Sequence, residues 1–378
     1  MSPPDPLRHL EAELAKLAAD GLLRLEPRVE DLVGDGLGPV IACSNDYLGY
    51  GAEPWPGAAN PATPSGSGAS RLVSGEHLEH RLAERALAGW LGADDALLFS
   101  SGYAANVGAV SALTGPGDVV VSDALNHASL IDGCRLSGAT VVVAAHLDAG
   151  AIERALEASR GARRRWVVTE SYFSMDGDTP DLERLRAACS ALDAALVVDE
   201  AHALGVFGPA GAGRCAEHGV KPDVLIGTMG KALGLQGAFV AGPAAVRSWL
   251  WNRARSFVFS TGVSPVLANA VSSRVARTAG DELGRARLRA AEHAMRDELR
   301  RLDVQVVSDD GPVLPVLVGD ARAAVDLSQR FFSYGVKVQA IRPPTVPLGS
   351  SRLRITATAA LTGDRLDRVL AAFGRVWG

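Results

Sequence analysis

The chain has 378 residues, enough to bury a large core and, by length, to form two or three domains. A formal charge of -5 with 21% charged residues leaves no footprint for a nucleic-acid partner. No uninterrupted apolar run reaches the roughly 18 residues that a membrane span needs.

The N-terminal Met1-Ser-Pro-Pro-Asp-Pro6 lacks the basic and apolar regions of a secretory signal. The four cysteines, Cys43, Cys134, Cys189 and Cys215, lie far apart and form no CxxC pair, which reads as reduced thiols in the cytoplasm. Leucines at positions 7, 10, 14 and 17 among charges predict an amphipathic helix within residues 7–26, and Val40–Cys43 predicts a short strand. Together they make an N-terminal arm, residues 1–43, that docks on the main body or on a partner subunit. A polar turn, Ser44-Asn-Asp-Tyr-Leu-Gly49, follows the strand. The loop from Glu53 to Ser70 is rich in Pro, Gly and Ser, and loops of that length in a compact domain are more often functional than idle. Within it Gly66-Ser-Gly-Ala-Ser-Arg71 has neither a strand before it nor a Gly-Lys-Ser/Thr ending, which argues against a nucleotide loop.

After a helical stretch at Glu76–Leu91, strands and helices alternate. The predicted strands are Ala96–Phe99, Val119–Ser122, Thr140–Ala144, Trp166–Thr169, Ala195–Val198, Val224–Ile226 and Ala238–Ala241. Helices such as Ala104–Leu113, Ala151–Ala158 and Leu182–Leu192 fall between them. The pattern predicts an α/β fold, a mostly parallel seven-stranded sheet with helices on both faces, over residues 44–277. The basic run Arg163-Arg-Arg165 precedes an apolar strand and reads as a solvated helix end. Near residue 275 the texture becomes an Arg- and Glu-rich helix running to about Leu302. Strands at Val313–Val318, Lys337–Ala340 and Leu353–Thr356, with helices Ala321–Tyr334 and Asp364–Val376, predict a smaller α+β domain over 278–378.

Candidate chemistry gathers at strand ends, where open α/β sheets usually build their sites. Lys231 follows the strand Val224–Ile226 in Thr228-Met-Gly-Lys-Ala-Leu-Gly234. A lysine whose amine is neutralised by desolvation or by a nearby cation can hold a carbonyl cofactor as a Schiff base. A lone Gly-Lys is far more often a solvated turn residue, so the upstream segments decide. Leu97-Leu-Phe-Ser-Ser-Gly-Tyr-Ala-Ala-Asn106 is a strand, a turn with Gly102 and a helix start, and the N–H groups of a helix N-terminus attract a phosphate. His127 lies just beyond another strand. Asp176, Asp178 and Asp181 resemble half a calcium loop, but the remaining ligands are missing. Asp199 ends the apolar strand Ala195–Val198 with only His202 as a basic neighbour in sequence. A carboxylate buried there needs a cationic partner, which the protonated ring nitrogen of pyridoxal phosphate would supply.

Asp199-x-x-His202, Thr228-x-x-Lys231, Asn126-His-Ala-Ser129 and Ser174-Met-Asp-Gly-Asp178 together resemble the α-oxoamine synthases, a family of fold-type I pyridoxal phosphate enzymes. The resemblance runs from Ser44-Asn-Asp-Tyr-Leu-Gly49 to Arg352-Leu-Arg354. It implies that Lys231 binds the cofactor aldehyde and then acts as base at the substrate α-carbon, and that Asp199 keeps the ring nitrogen protonated. By the same resemblance His127 stacks on the ring, His202 and Ser174 bond its phenolic oxygen, and Gly102, Tyr103 and Thr228 meet the phosphate. Ser260 and Thr261 would reach a phosphate across a homodimer interface. Arg354 matches the family arginine for the substrate carboxylate, a bidentate task that suits a guanidinium. Arg24, Asn45 and Thr345 fall where the family contacts substrate.

The segment Ala340-Ile-Arg-Pro-Pro-Thr-Val-Pro347 is similar to members that join L-alanine to a pimeloyl thioester of coenzyme A or a carrier protein, with loss of carbon dioxide. Condensation with glycine, transamination, and a catalytically silent scaffold subunit stay open as alternatives. Departures at Ala69, Glu200, Ala203 and Leu235-Gln236 remove no reacting group and bear on chain-length preference and rate.

Overall fold

A computed structural model describes residues 7, 9–24, 26, 38–53 and 62–378. Met1–Pro6 and part of the Glu53–Ser70 loop, both read above from sequence, lie outside the described residues. The chain divides into two compact units, one of residues 45–174 and 178–288, the other of residues 1–44, 175–177 and 289–378.

The first unit is built on a seven-stranded sheet: β1 Asp95–Phe99, β2 Val119–Asp123, β3 Thr140–Ala144, β4 Arg165–Glu170, β5 Ala194–Asp199, β6 Val224–Thr228 and β7 Ala238–Gly242. All seven predicted strands form, in the order β1-β7-β6-β5-β4-β2-β3. Strands β6, β5, β4, β2 and β3 pair in parallel, while β7 runs antiparallel to both its neighbours. Strand alternation explains how one sheet serves two cores. Val120, Val168 and Val197 join Leu97, Phe99 and Ile226 under the helix Gly102–Leu113, whereas Val121, Val167, Leu196 and Val198 pack with Ile152, Leu156, Leu182 and Leu185 on the other face. A third cluster sets Leu98 and Phe239 against Leu87 and Val271.

The Pro- and Gly-rich loop is locked by charge. Arg71, almost wholly buried, pairs with Glu84 at 2.5 Å and with Glu76. Ser67 Oγ and His80 Nε2 both lie 2.7 Å from the carbonyl of Val263. The run Gly66–Arg71 is therefore a tied structural turn. The basic run is also accounted for, because Arg163 donates twice to the buried Asp118, at 2.8 and 3.0 Å.

The second unit holds a three-stranded antiparallel sheet of β8 Val313–Gly319, β9 Gln339–Ile341 and β10 Ser351–Thr356, with β10 central. The helix Ala321–Ser333 packs on it, and Asp364–Trp377 packs on that helix through Phe331, Phe373 and Trp377, with Phe331 edge to face against the other two rings. The arm helix spans His9–Ala19 and ends ahead of Gly21, which turns the chain at φ 68°. Val40–Ile41 pairs in parallel with Val336–Lys337. The long basic segment is two helices, Pro265–Gly280 and Glu282–Arg301, broken at Asp281. Among the described residues no helix is long and apolar enough to cross a membrane.

Phe239 is fully buried, and a Cβ at Gly227 would stand 2.5 Å from its ring, so nothing larger than glycine fits between them. Phe239→Ala should lower stability by about 3–5 kcal/mol, read from urea unfolding of the full chain. A loss under about 1 kcal/mol would mean that the strand ends beneath the lysine turn collapse around the hole.

Candidate active site

The C-terminal ends of β2, β4, β5 and β6 deliver the polar residues of the site. Beyond β6 the backbone folds into a tight turn: Met229 N donates to Gly237 O at 2.9 Å, Leu235 N to Met229 O at 2.8 Å, and Gly234 N to Lys231 O at 2.8 Å. Gly234 sits at φ 61° with Tyr50 and Gly51 so close that a Cβ would approach to 2.5 Å, which accounts for glycine there. Thr228 Oγ1 accepts from Gly230 N at 3.2 Å and donates to Gly237 O at 3.1 Å. These bonds fix the half-buried Lys231 at the strand end.

Asp199 is 6% exposed, and its carboxylate is met by donors that sequence reading did not find. Asn106 Nδ2 donates at 2.7 Å and the Ala201 N–H at 2.8 Å. The same Asn106 amide donates to Ser129 Oγ at 2.9 Å, and that hydroxyl lies 2.7 Å from His127 Nδ1. One chain of hydrogen bonds thus joins His127 to Asp199. Burial pushes His127 below the ordinary imidazole value, opposed by the charge of Asp199 and reinforced by that of Lys231. Glu170, another residue not singled out from sequence, accepts the His127 N–H at 2.6 Å and is raised to about 8, by burial first and then by Asp199. Lys231, Asp199, His127 and Glu170 therefore share one electrostatic environment.

His202 is buried, with Tyr47 Oη 2.6 Å from its Nδ1. Gly102 opens the helix Gly102–Leu113, capped by Ser101, and a Cβ on it would stand 4.0 Å from Thr228. Tyr103 is half exposed and its hydroxyl donates to Asp132, so its backbone N–H, not its ring, belongs to the helix N-terminus. Ser174 is buried. Ser260 and Thr261 line a narrow crevice with Arg71, Ser100 and Ser256. The Asn45 Oδ1 is buried without a hydrogen-bond partner.

The remaining predicted residues lie in the second unit. Arg354, 4% exposed on β10, donates to Thr356 Oγ1 at 3.2 Å. Thr345 is exposed in the turn after β9, its N–H on Arg342 O at 3.1 Å. The charge of Arg24 lowers Arg342, after burial, so these two cations are neighbours.

Three aspartates that resembled half a metal loop have separate tasks. Asp176 pairs with Arg352, Asp178 binds His146, and Asp181 caps the helix Leu182–Ala191. Glu200, noted above as a departure, is a buried structural acceptor for Ser171 Oγ at 2.7 Å and for the N–H groups of Arg214 and Cys215. All four cysteines are unpaired.

Residues 40–373 match the family of class I and II aminotransferases. The chain belongs to that family. It is 42% identical to the 8-amino-7-oxononanoate synthase of Alkalilimnicola ehrlichii over 385 aligned positions, covering 98% of each chain. It is 43% identical to the same enzyme of Geobacter sulfurreducens, again over 98% of both. Among solved structures, serine palmitoyltransferase of S. paucimobilis with bound PLP and myriocin superposes with a TM-score of 0.87 at 26% identity, covering 99% of this chain and 98% of that one.

The cofactor of this class I and II aminotransferase chain is pyridoxal phosphate. The donor set fits it: a buried carboxylate at one strand end, a lysine amine at the next, and a helix N-terminus beside the Thr228 hydroxyl.

One ion cluster beside the site has a measurable pH signature. His146 Nδ1 lies 2.8 Å from Asp123 and its Nε2 3.1 Å from Asp178, and the ring stands edge-on to Phe173 at 4.6 Å. Burial lowers its pKa, but the hydrogen bonds to the two carboxylates outweigh it and raise the group to about 10. A raised histidine contributes stability that is fully present below the unfolded value of about 6.5 and is lost as pH rises through about 10. The stability gap between wild type and His146→Gln should therefore shrink from pH 6 to pH 10 by more than about 1 kcal/mol, measured by urea unfolding at each pH. A gap independent of pH would show that the imidazole is neutral in the fold.

Proposed function

We propose that this protein condenses L-alanine with a pimeloyl thioester, releasing carbon dioxide and 8-amino-7-oxononanoate. The observation that carries the reading is the single cluster of Lys231, Asp199 and His127 at the strand ends, in a chain alike over its whole length to synthases of that product. Bound there, pyridoxal phosphate supplies a conjugated ring that takes up the electron pair left when a bond at the substrate α-carbon breaks.

The chain's own residues do the rest. Lys231 supplies the amine that meets the cofactor aldehyde and, once displaced by the amino acid, takes the α-proton of alanine. Its place at the end of β6, in a turn closed by backbone hydrogen bonds, keeps the amine from wandering. Asp199 holds a proton on the ring nitrogen, and the Asn106 and Ala201 donors orient its carboxylate for that task. His127, kept neutral by burial, offers a flat uncharged face for stacking. His202, oriented by Tyr47, and Ser174 bond the phenolic oxygen. Gly102, Tyr103 and Thr228 bind the phosphate, with Ser260 and Thr261 contributed by the second copy in a homodimer. Arg354 takes the carboxylate of alanine, and Asn45, Arg24 and Thr345 contact substrate. The free thiols are in keeping with a reducing, cytoplasmic setting.

Offered alanine or glycine with pimeloyl-CoA or shorter acyl thioesters, the holoenzyme should give the amino ketone from alanine and pimeloyl at a rate at least about 100-fold above any other pair, with products identified by mass. Preference for glycine would redirect the reading to the glycine-condensing relatives. Lys231→Ala should still bind the cofactor, seen by its absorbance, yet lose at least about 1000-fold in turnover. Near-normal turnover would remove Lys231 from the role of base.

A further inference from the structure

Glu170 ends β4 at the register where Asp199 ends β5, and the two are direct partners across the parallel pair. Residues so paired face the same side of a sheet. Both are buried, at 4% and 6% exposure. Two carboxyl groups placed side by side away from water do not both ionise at neutral pH, so the pair shares a proton.

The donors decide which acid keeps it. Asp199 accepts the Asn106 amide on one oxygen and the Ala201 N–H on the other. Among the described residues Glu170 accepts only one such donor, the backbone N–H of His127 on Oε1, a bond that a neutral acid's carbonyl oxygen can also make, more weakly than a carboxylate does. Asp123 at the end of β2, Lys231 in the turn after β6 and His127 itself are the other charged or titratable groups facing Glu170.

We propose that Glu170 is a positioning residue: a neutral acid that anchors the His127 backbone and leaves Asp199 as the pair's one negative charge toward the cofactor ring. The anchoring is geometric, since His127 begins the helix Ala128–Ser137 and its N–H would otherwise be an unmet helix-terminal donor. Burial and the neighbouring Asp199 charge hold Glu170 protonated below about pH 8, against the opposing pulls of Lys231 and the His127 N–H. Above that pH a second negative charge appears beside Asp199.

The protonation is a property of the cofactor-free chain and does not depend on the reaction proposed above, whereas the effect on turnover does. Infrared difference spectra of the full-length cofactor-free protein between about pH 6 and pH 9.5 should show a protonated carboxyl C=O band lost with a midpoint near 8 and absent in Glu170→Gln. No such band in wild type, or the same band in Glu170→Gln, overturns the proposal. In the holoenzyme, kcat/KM should fall above about pH 8 in wild type. Glu170→Gln, neutral at all pH, should recover at least about a third of the neutral-pH value without that fall, and Glu170→Ala should lose about 10-fold or more throughout. An alkaline fall unchanged in Glu170→Gln overturns the proposal too. An intact infrared band in a protein that does not condense alanine with pimeloyl thioesters supports it while sinking the proposed reaction.

Discussion

A carboxylate kept out of water at the end of β5 is the constraint that the rest of the site answers. Burying such a group unpaired costs several kcal/mol, and the chain spreads the compensation over several elements. Asn106 comes from the helix Gly102–Leu113 and the Ala201 amide from the turn after β5, while Lys231, in the turn after β6, acts on the adjacent Glu170. The helix that supplies Asn106 is also the one whose first residue faces Thr228. A single rigid element therefore links the end of the site suited to an anion with the end that carries the acid, about one helical turn apart. A change that tilts that helix would disturb both together.

The sheet was legible because parallel strands covered on both faces are short apolar runs, and alternation of Val120 with Val121, or Val197 with Val198, between two cores leaves no other place for them. Lys231, Asp199 and His127 were legible because each ends such a run. Asn106 and Glu170 were not singled out, for a different physical reason in each case. Asn106 lies inside a helix, four residues past Gly102, where nothing in the local sequence distinguishes a buried amide from a surface one; only the packing of that helix over β5 turns it toward Asp199. Glu170 was passed over in Thr169-Glu-Ser171 although it ends a strand just as Asp199 does, and pairing of the two ends becomes visible only once β4 and β5 are neighbours.

The polar segment Ser174–Asp181 shows how composition misleads when geometry is missing. Its aspartates share no ligand sphere. Asp178 belongs with His146 and Asp123, a half-buried cation between two carboxylates, while Asp181 satisfies the Arg184 N–H at the start of a helix. Met175–Gly177 count with the second unit, where a Cβ on Gly177 would press within 2.8 Å of the Val313 carbonyl and Asp176 meets Arg352. Glycine at 177, at φ 65°, is what lets the chain make that approach and return.

The same ion pair sets Arg352 apart from Arg354, the arginine that the family resemblance singles out. Arg352 and Arg354 are two apart on β10, so their side chains project from one face of the strand. Arg352 is committed: it binds the Asp176 carboxylate and the Met175 carbonyl, and removing it would strand a carboxylate that is mostly buried. Arg354 donates to the hydroxyl of Thr356, a neutral acceptor on the same strand. Of the two, Arg352 is therefore the one tied into the fold through a carboxylate, while Arg354 meets a hydroxyl two residues further along the same strand.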